Sequence, residues 1–375
     1  MRLAYLCSDP GVPYGADKGA AVHVRELVGA LAAAGAEVLL IVTGVSREAP
    51  PPPAGVRLAV LPGPEKGAPV SQRLKAEPFR AAWLADRLRR FRPLALYERL
   101  ALHSAAGSRA AQTLGIPHVV ELNSPLPHEA ARYRRLDAPG EAASLERAVL
   151  RRAALVLPVS SALFEYATSR GARKVEVVPN GVSLDRFADP RPRREGPPVA
   201  VFAGALRPWH GIETIAQAWR ALGHSAPRLL VLGDGPGREV LEAAGAELAG
   251  TVPHERVPAL LTRCDIGLAP YTRDAPGYFS PLKVFEYLAA GLAAVVADLP
   301  GVTDVVGPET AVVIRKGDSA ALARAVAELA EDPDRRQRLG RAGRALVAAE
   351  HTWAHRAERI LFAVEQSAGL GAVAQ

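Results

Sequence analysis

Short apolar runs alternate along this chain with stretches in which apolar residues recur every three or four positions. Residues 3–7 form an apolar run closed by Asp9, Pro10 and Gly11, which predicts a buried first strand and not the core of a signal peptide. A loop with Gly11, Gly15 and Gly19 follows, then a helix with Val24, Leu27, Val28 and Leu31 on one face, ending at Gly35. Residues 38–42 are the next apolar run. Strand, helix and strand at these lengths predict a parallel βαβ unit. Proline-rich stretches at 49–53 and 61–64 read as loops. Further strands are predicted at 94–97, 118–121, 155–159 and 175–178.

A tract from Asp189 to Pro198 is too rich in proline and arginine for helix or strand and lies at mid-chain, so it reads as a linker. Alternation restarts beyond it. Strands are predicted at 199–202, 228–232, 265–269 and 293–297, and helices at 212–222 and 281–290. A last helix carries Trp353, Ile360, Leu361 and Val364. The fold class is therefore α/β: two Rossmann-like domains, at 1–188 and 189–350, and a carboxyl-terminal segment at 351–375.

Composition narrows the chemistry only a little. The chain has 375 residues, too many for one ordinary α/β core. Hydrophobic residues make up 49% and charged residues 23%, which excludes a disordered chain. Without a run of eighteen uncharged apolar residues, no spanning helix is expected. Cys7 and Cys264 lack ligand-like neighbours and read as small hydrophobes in a reducing cytosol. The net charge of +7 favours anionic partners without choosing among nucleotides, membranes and nucleic acid. One helix, at 79–91, sets Trp83, Leu84, Leu88 and Phe91 against Arg87, Arg89, Arg90 and Arg92. It reads as a solvated basic face over a core stripe, with peripheral contact to an anionic membrane as the alternative.

Ligands of open α/β sheets sit at the carboxyl ends of the strands. Four loops of the second half qualify, at 202–211, 232–237, 250–254 and 277–286. In the last, Ser280 has the chemistry of an N-cap and Pro281 suits the first helical position. Helix amides with Lys283 would hold a phosphate, and Glu286, on the same helix side, would accept from ribose hydroxyls. A capped surface helix with an ordinary Lys283–Glu286 pair is the alternative.

The Gly15-to-Gly19 loop, 178–182 (VPNGV), 233–236 (GDGP) and 280–291 (SPLKVFEYLAAG) stand in an order and spacing that resembles the family 4 glycosyltransferases. The resemblance covers nearly the whole chain. It implies two Rossmann-like domains facing a cleft, with the last helix crossing back to the first domain. It also implies retaining, metal-independent transfer from a nucleotide-sugar, which is a co-substrate, so no cofactor is expected. Absence of an Asp-x-Asp pair at a strand end agrees with a site that has no metal. Glu286 matches the family's ribose-binding glutamate, whereas the glutamate that contacts the donor sugar falls at Tyr278. The family's Arg and Lys for the diphosphate fall near Ala205 and His210, leaving Arg207, His210 and Lys283 as the cations. Backbone around Gly204, Gly233, Gly235, Phe279, Ser280 and Leu282 completes the expected donor site, and Thr251 and Val252 match the loop that reads the base. Gly19 matches the loop that closes over the donor. The family's acceptor-side histidine falls at Asn123, and Glu98 or Glu121 is the candidate to orient the acceptor hydroxyl.

The acceptor stays open among a sugar, a lipid-linked sugar and a small metabolite; nucleic acid is not an expected partner. A phosphorylase or epimerase on the same fold, and a nucleotide-sugar-binding protein without turnover, are the alternatives. A dinucleotide oxidoreductase is disfavoured, since no Gly-x-Gly-x-x-Gly opens a helix after the first strand.

Overall fold

In a computed structural model, residues 1–64, 67–133, 135–188 and 196–369 are described. Seven residues of the expected linker, 189–195, lie outside them. The chain divides into two compact units: Met1–Pro179 with Trp353–Gln375, and Asn180–Thr352. This division falls nine residues ahead of position 189, because Asn180 is hydrogen-bonded into the second unit through Ser280.

Unit 1 begins with β1 (Arg2–Cys7), α1 (Gly19–Ala33), β2 (Glu37–Val42), β3 (Val56–Val60), α2 (Val70–Phe91) and β4 (Ala95–Arg99). It continues through α3 (Ala106–Leu114), β5 (His118–Leu122), α4 (Leu126–Tyr133), α5 (Pro139–Arg152), β6 (Leu155–Pro158) and α6 (Ser161–Ser169). Among the described residues its strands form one parallel sheet in the order β3-β2-β1-β4-β5-β6. A sheet covered on both faces needs apolar side chains on both, and Leu3 to Cys7 are buried without a break. One side of β1, β2 and β4 packs Ala4, Leu6, Ile41 and Leu96 against Leu84 and Leu88 of α2 and Ala110 of α3. Each leucine buried there stabilises the fold by roughly 2 kcal/mol.

Two expectations are corrected in this unit. The basic helix does not begin after Pro78 but nine residues earlier, at Val70, with Pro78 inside it. Proline removes one N–H, and the buried stripe of Val70, Ala81, Leu84, Leu88 and Phe91 outweighs that loss. Residues 175–178 form no strand: only Val175 bridges to Val156, although Val178 N donates to Pro158 O.

Unit 2 contains β7 (Val199–Ala203), α7 (Ile212–Leu222), β8 (Arg228–Leu232), α8 (Arg238–Glu242), β9 (Glu247–Leu248), α9 (Val257–Leu261) and β10 (Ile266–Ala269). Then come α10 (Leu282–Ala289), β11 (Ala293–Ala297), α11 (Pro300–Thr303), β12 (Ala311–Ile314), α12 (Ser319–Glu331) and α13 (Pro333–Glu350). Its described strands are again all parallel, ordered β12-β11-β10-β7-β8-β9. Val201 and Ala203 of β7 share a core with Val284, Phe285 and Leu288 of α10, whereas Phe202 faces α7 and α12. The last helix, α14 (Trp353–Ser367), belongs to unit 1 and packs on α1, where Trp353 meets the His23 ring edge-on at 5.1 Å.

No described helix is long and apolar enough to cross a membrane. On α2, Leu84, Leu88 and Phe91 lie in the core, Arg87 stacks over Trp83, and Arg90 pairs with Asp86. Both cysteines are free; Cys7 is fully buried, and burial pushes its thiol up to about 12.

Candidate functional site

Two groups of polar side chains stand at carboxyl ends of strands, one in each unit. In unit 2 the group is built on the loops after β7, β8 and β10 and on the start of α10. The turn after β7 needs glycine. Gly204 has φ +129°, and a Cβ there would meet the Lys283 ammonium at 3.0 Å. Gly233 after β8 has φ +150°, and a Cβ there would overlap the Gly204 carbonyl. Two chain turns therefore approach each other closely with Lys283 directly beneath. The Gly235 N–H, in the same turn as Gly233, donates to Asp234 Oδ1 at 2.7 Å.

Lys283 is buried, and among the described residues its Nζ has no hydrogen-bond partner. It lies 4.0 Å from the centroid of the Phe202 ring and 5.9 Å from that of Tyr271. Burial pushes the ammonium down to about 7, with the Glu286 charge acting in the opposite sense. An ammonium so placed carries a cost of charge burial that a bound anion would relieve.

Its neighbour His210 corrects an expectation. His210 is not a cation: burial, then the Lys283 charge, pushes the imidazole down to about 3. Its Nδ1–H donates to Ala205 O at 2.6 Å, so Nε2 is left as an acceptor. Arg207 is exposed, with its guanidinium 6.0 Å from the Trp209 ring centroid. Aromatic rings wall the rest. His210 meets Tyr271 edge-on, Tyr271 stacks on Phe279 at 5.9 Å, and Tyr278 meets Phe279 at 4.9 Å.

The start of α10 also differs from expectation. Its first helical residue is Leu282, Pro281 precedes it in an extended conformation, and no side chain caps it. Ser280 is not the N-cap: its Oγ accepts from Asn180 N at 2.9 Å, and its carbonyl accepts from Asn180 Nδ2 at 2.5 Å. The asparagine of the Pro179-Asn180-Gly181 segment thus fixes the entry to α10. Nor does Glu286 pair with Lys283. His254 Nε2 donates to Glu286 Oε1 at 2.8 Å, while His254 Nδ1 accepts from Arg186 Nη1 at 3.0 Å. A guanidinium only donates, so this arrangement sets the imidazole proton on Nε2. Thr251 is exposed beside this histidine in sequence, and Val252 packs partly against the core.

In unit 1 the polar group lies on the α1 side of the sheet. Tyr5, Tyr97 and Arg99 stand in register across β1 and β4, and Arg99 faces Glu121 of β5. Glu121 accepts from His23 at 2.9 Å, Tyr97 at 2.8 Å, Arg99 at 2.7 Å, and also from Asn123. Burial by itself would raise this carboxyl; His23, then Arg99 and Asn123, outweigh it and hold it well below the usual range. Glu121 is a fixed anion whose oxygens are already taken, and Asn123 is committed to it. Glu98 points to the opposite side of the sheet. It is fully buried, accepts from His118 at 2.7 Å, and lies so near Gly107 of α3 that a Cβ there would reach 2.2 Å from its oxygen. A hydroxyl acceptor has no access to it. Gly19 is the first residue of α1, at the end of the loop that follows β1.

Sequence reasoning passed over His254, Arg186, Tyr271 and the role of Asn180. His254 stands two residues beyond Val252, so its place was legible; its contact with Glu286 was not. Among the described residues no three His, Cys, Asp or Glu side chains gather as metal ligands do.

Comparison with solved structures defines the class. Sucrose-phosphate synthase from Thermosynechococcus elongatus superposes with TM-score 0.77 at 20% identity, covering 98% of each chain. Anabaena Alr3699/HepE, solved in complex with UDP, gives 0.73 at 16%, covering 98% of this chain and 100% of that one. The fold is therefore the two-Rossmann GT-B architecture. Residues 18–186 match the model described as Glycosyltransferase Family 4, and residues 207–362 the one described as Glycosyl transferase-like. The chain belongs to the family 4 glycosyltransferases. The 2-deoxystreptamine glucosyltransferase of Streptomyces kanamyceticus is 29% identical over 259 residues, 61% of this chain and 65% of that protein. The match thus spans less than two thirds of that relative.

Proposed function

We propose that this chain transfers a sugar from a nucleotide-sugar to an acceptor hydroxyl, with retention of configuration and without a metal or other cofactor. The observation that carries the reading is Lys283, a buried amine that has no partner among the described residues and lies beneath the Gly204 and Gly233 turns. A diphosphate leaving group there would be met by this ammonium and by first-turn amides of α10, charges already oriented before reaction. Arg207 would reach the same group from the surface. Glu286, steadied by His254, keeps Oε2 for the ribose hydroxyls. Tyr278 and Phe279 give the donor sugar an aromatic wall in place of a carboxylate.

Family resemblance supports retention, with the donor phosphate taking the acceptor proton; no nucleophile is assigned. HepE, whose structure contains UDP, supports a uridine nucleotide as the first to try. Glu98 and Glu121 take no part in proton transfer in this reading; they hold the acceptor unit together. A cytoplasmic location, with or without contact between α2 and an anionic membrane, belongs to the same proposal, and nucleic acid does not.

The test is thermal shift and hydrolysis with UDP-, GDP-, ADP-, CDP- and dTDP-sugars, with and without EDTA. Stabilisation by one class with slow, EDTA-insensitive nucleotide release is the expected result. Stabilisation without release in the presence of any acceptor tried would favour a binding protein, and no stabilisation by any of them removes the reading.

A further inference from the structure

We propose that Arg99 forms an oxyanion subsite in unit 1, so that the acceptor carries a phosphate or carboxylate group. The inference rests on the transferase reading only in calling the bound anion an acceptor. Arg99 ends β4 at the carboxyl edge of the sheet. Its side chain is 13% exposed, so it is not a freely solvated surface arginine. One of its five N–H donors is engaged, by Glu121 Oε1; among the described residues the rest have no partner.

Glu121 does not need this guanidinium alone. His23, Tyr97 and Asn123 already donate to it, so the carboxylate acts as a clamp that sets the orientation of Arg99. A held guanidinium with open donors is the geometry that recognises phosphate or carboxylate. Charge along the chain points the same way. Unit 1 has 26 Lys and Arg against 18 Asp and Glu, whereas unit 2 has 20 against 21. The whole basic excess of the protein therefore lies in unit 1, which holds Arg99, and not in unit 2, which holds Lys283. An uncharged acceptor would leave both features without a ligand.

The experiment is calorimetric titration of inorganic phosphate into the full-length wild type, Lys283→Gln, Arg99→Gln and Arg99→Lys. Lys283→Gln is expected to retain one phosphate site, with affinity that falls as salt rises. Arg99→Gln should weaken that site by about tenfold or more, as for loss of a charged hydrogen bond, and Arg99→Lys should restore part of it. Loss of all phosphate binding in Lys283→Gln, or an unchanged second site in Arg99→Gln, overturns the inference. UDP titrated into Arg99→Gln reports unit 2 and the donor reading separately, and Arg99→Lys guards against a variant that fails to fold. Two arms then separate the sources: glucose 6-phosphate against glucose, and phosphatidylinositol vesicles against phosphatidylcholine vesicles. Preference for the charged probe in either arm, lost in Arg99→Gln, supports the inference; no preference in both overturns it.

Discussion

Glu121 in unit 1 and Lys283 in unit 2 are both buried charges near carboxyl ends of strands, yet they are treated oppositely. Glu121 is surrounded by donors and held ionised. Lys283 has a ring beneath it, no acceptor among the described residues, and a depressed pKa. Burying a charge is costly unless it is paired and hydrogen-bonded, so the first arrangement is structure and the second is where the proposed function seats an anion. Carboxylates at strand ends are thus not catalytic by position; the donors around them decide.

The sharpest break of this comparison is Glu121→Ala. It strands Arg99 and His23 in the interior, and a loss of about 3–5 kcal/mol is expected from urea unfolding of the full chain. A loss under about 1 kcal/mol would mean that the cluster is not the anchor described.

Lys283→Met should do the reverse, because it removes a buried charge that nothing among the described residues pairs. A lysine with depressed native pKa binds fewer protons folded than unfolded between about 7 and its ordinary 10.5, so wild-type stability should rise with pH across that window. Unfolding free energies measured from pH 7 to 10 should lose this slope in Lys283→Met, and stability at pH 7 should not fall. The same variant should abolish stabilisation by nucleotide-sugars. A bound phosphate would restore the ammonium, so nucleotide binding at pH 8 should take up protons. Calorimetry in buffers of differing ionisation enthalpy checks this, with no uptake expected in Lys283→Met.

His254→Asn tests a milder difference. Glu286 would lose its donor and its fixed orientation, and discrimination between UDP and 2′-deoxy-UDP should shrink by about tenfold, the effect of one hydrogen bond to a charged group. Smallest of all, Ser280→Ala leaves the buried Asn180 N–H without its acceptor and should cost about 1 kcal/mol, read from the melting temperature.

Much of the fold was legible because its strands are short apolar runs between helices with a 3.6-residue period. Residues 228–232 and 293–297 were bounded correctly from pattern alone, as was the helix at 212–222. β3 was missed because it is a five-residue edge strand between proline-rich loops, interrupted by Arg57 and leaving Val60 exposed. The helix-breaking reputation of Pro78 hid the first turns of α2.

The linear chain by itself determined two α/β halves, their repeated strand–helix order, and the loops from which a site at strand ends must be drawn. Those follow from residue types at short separations. Only the tertiary structure decided which charges in those loops are paired. Glu98 and Glu121 differ by which side of the sheet they leave from and what stands there, Gly107 and His118 for one, His23 and Arg99 for the other. His210 lost its charge to burial beside Lys283, and Ser280 gave its oxygen to a residue a hundred positions away. Protonation and hydrogen bonding depend on distances that close only when the chain folds, so no spacing along the sequence could have fixed them.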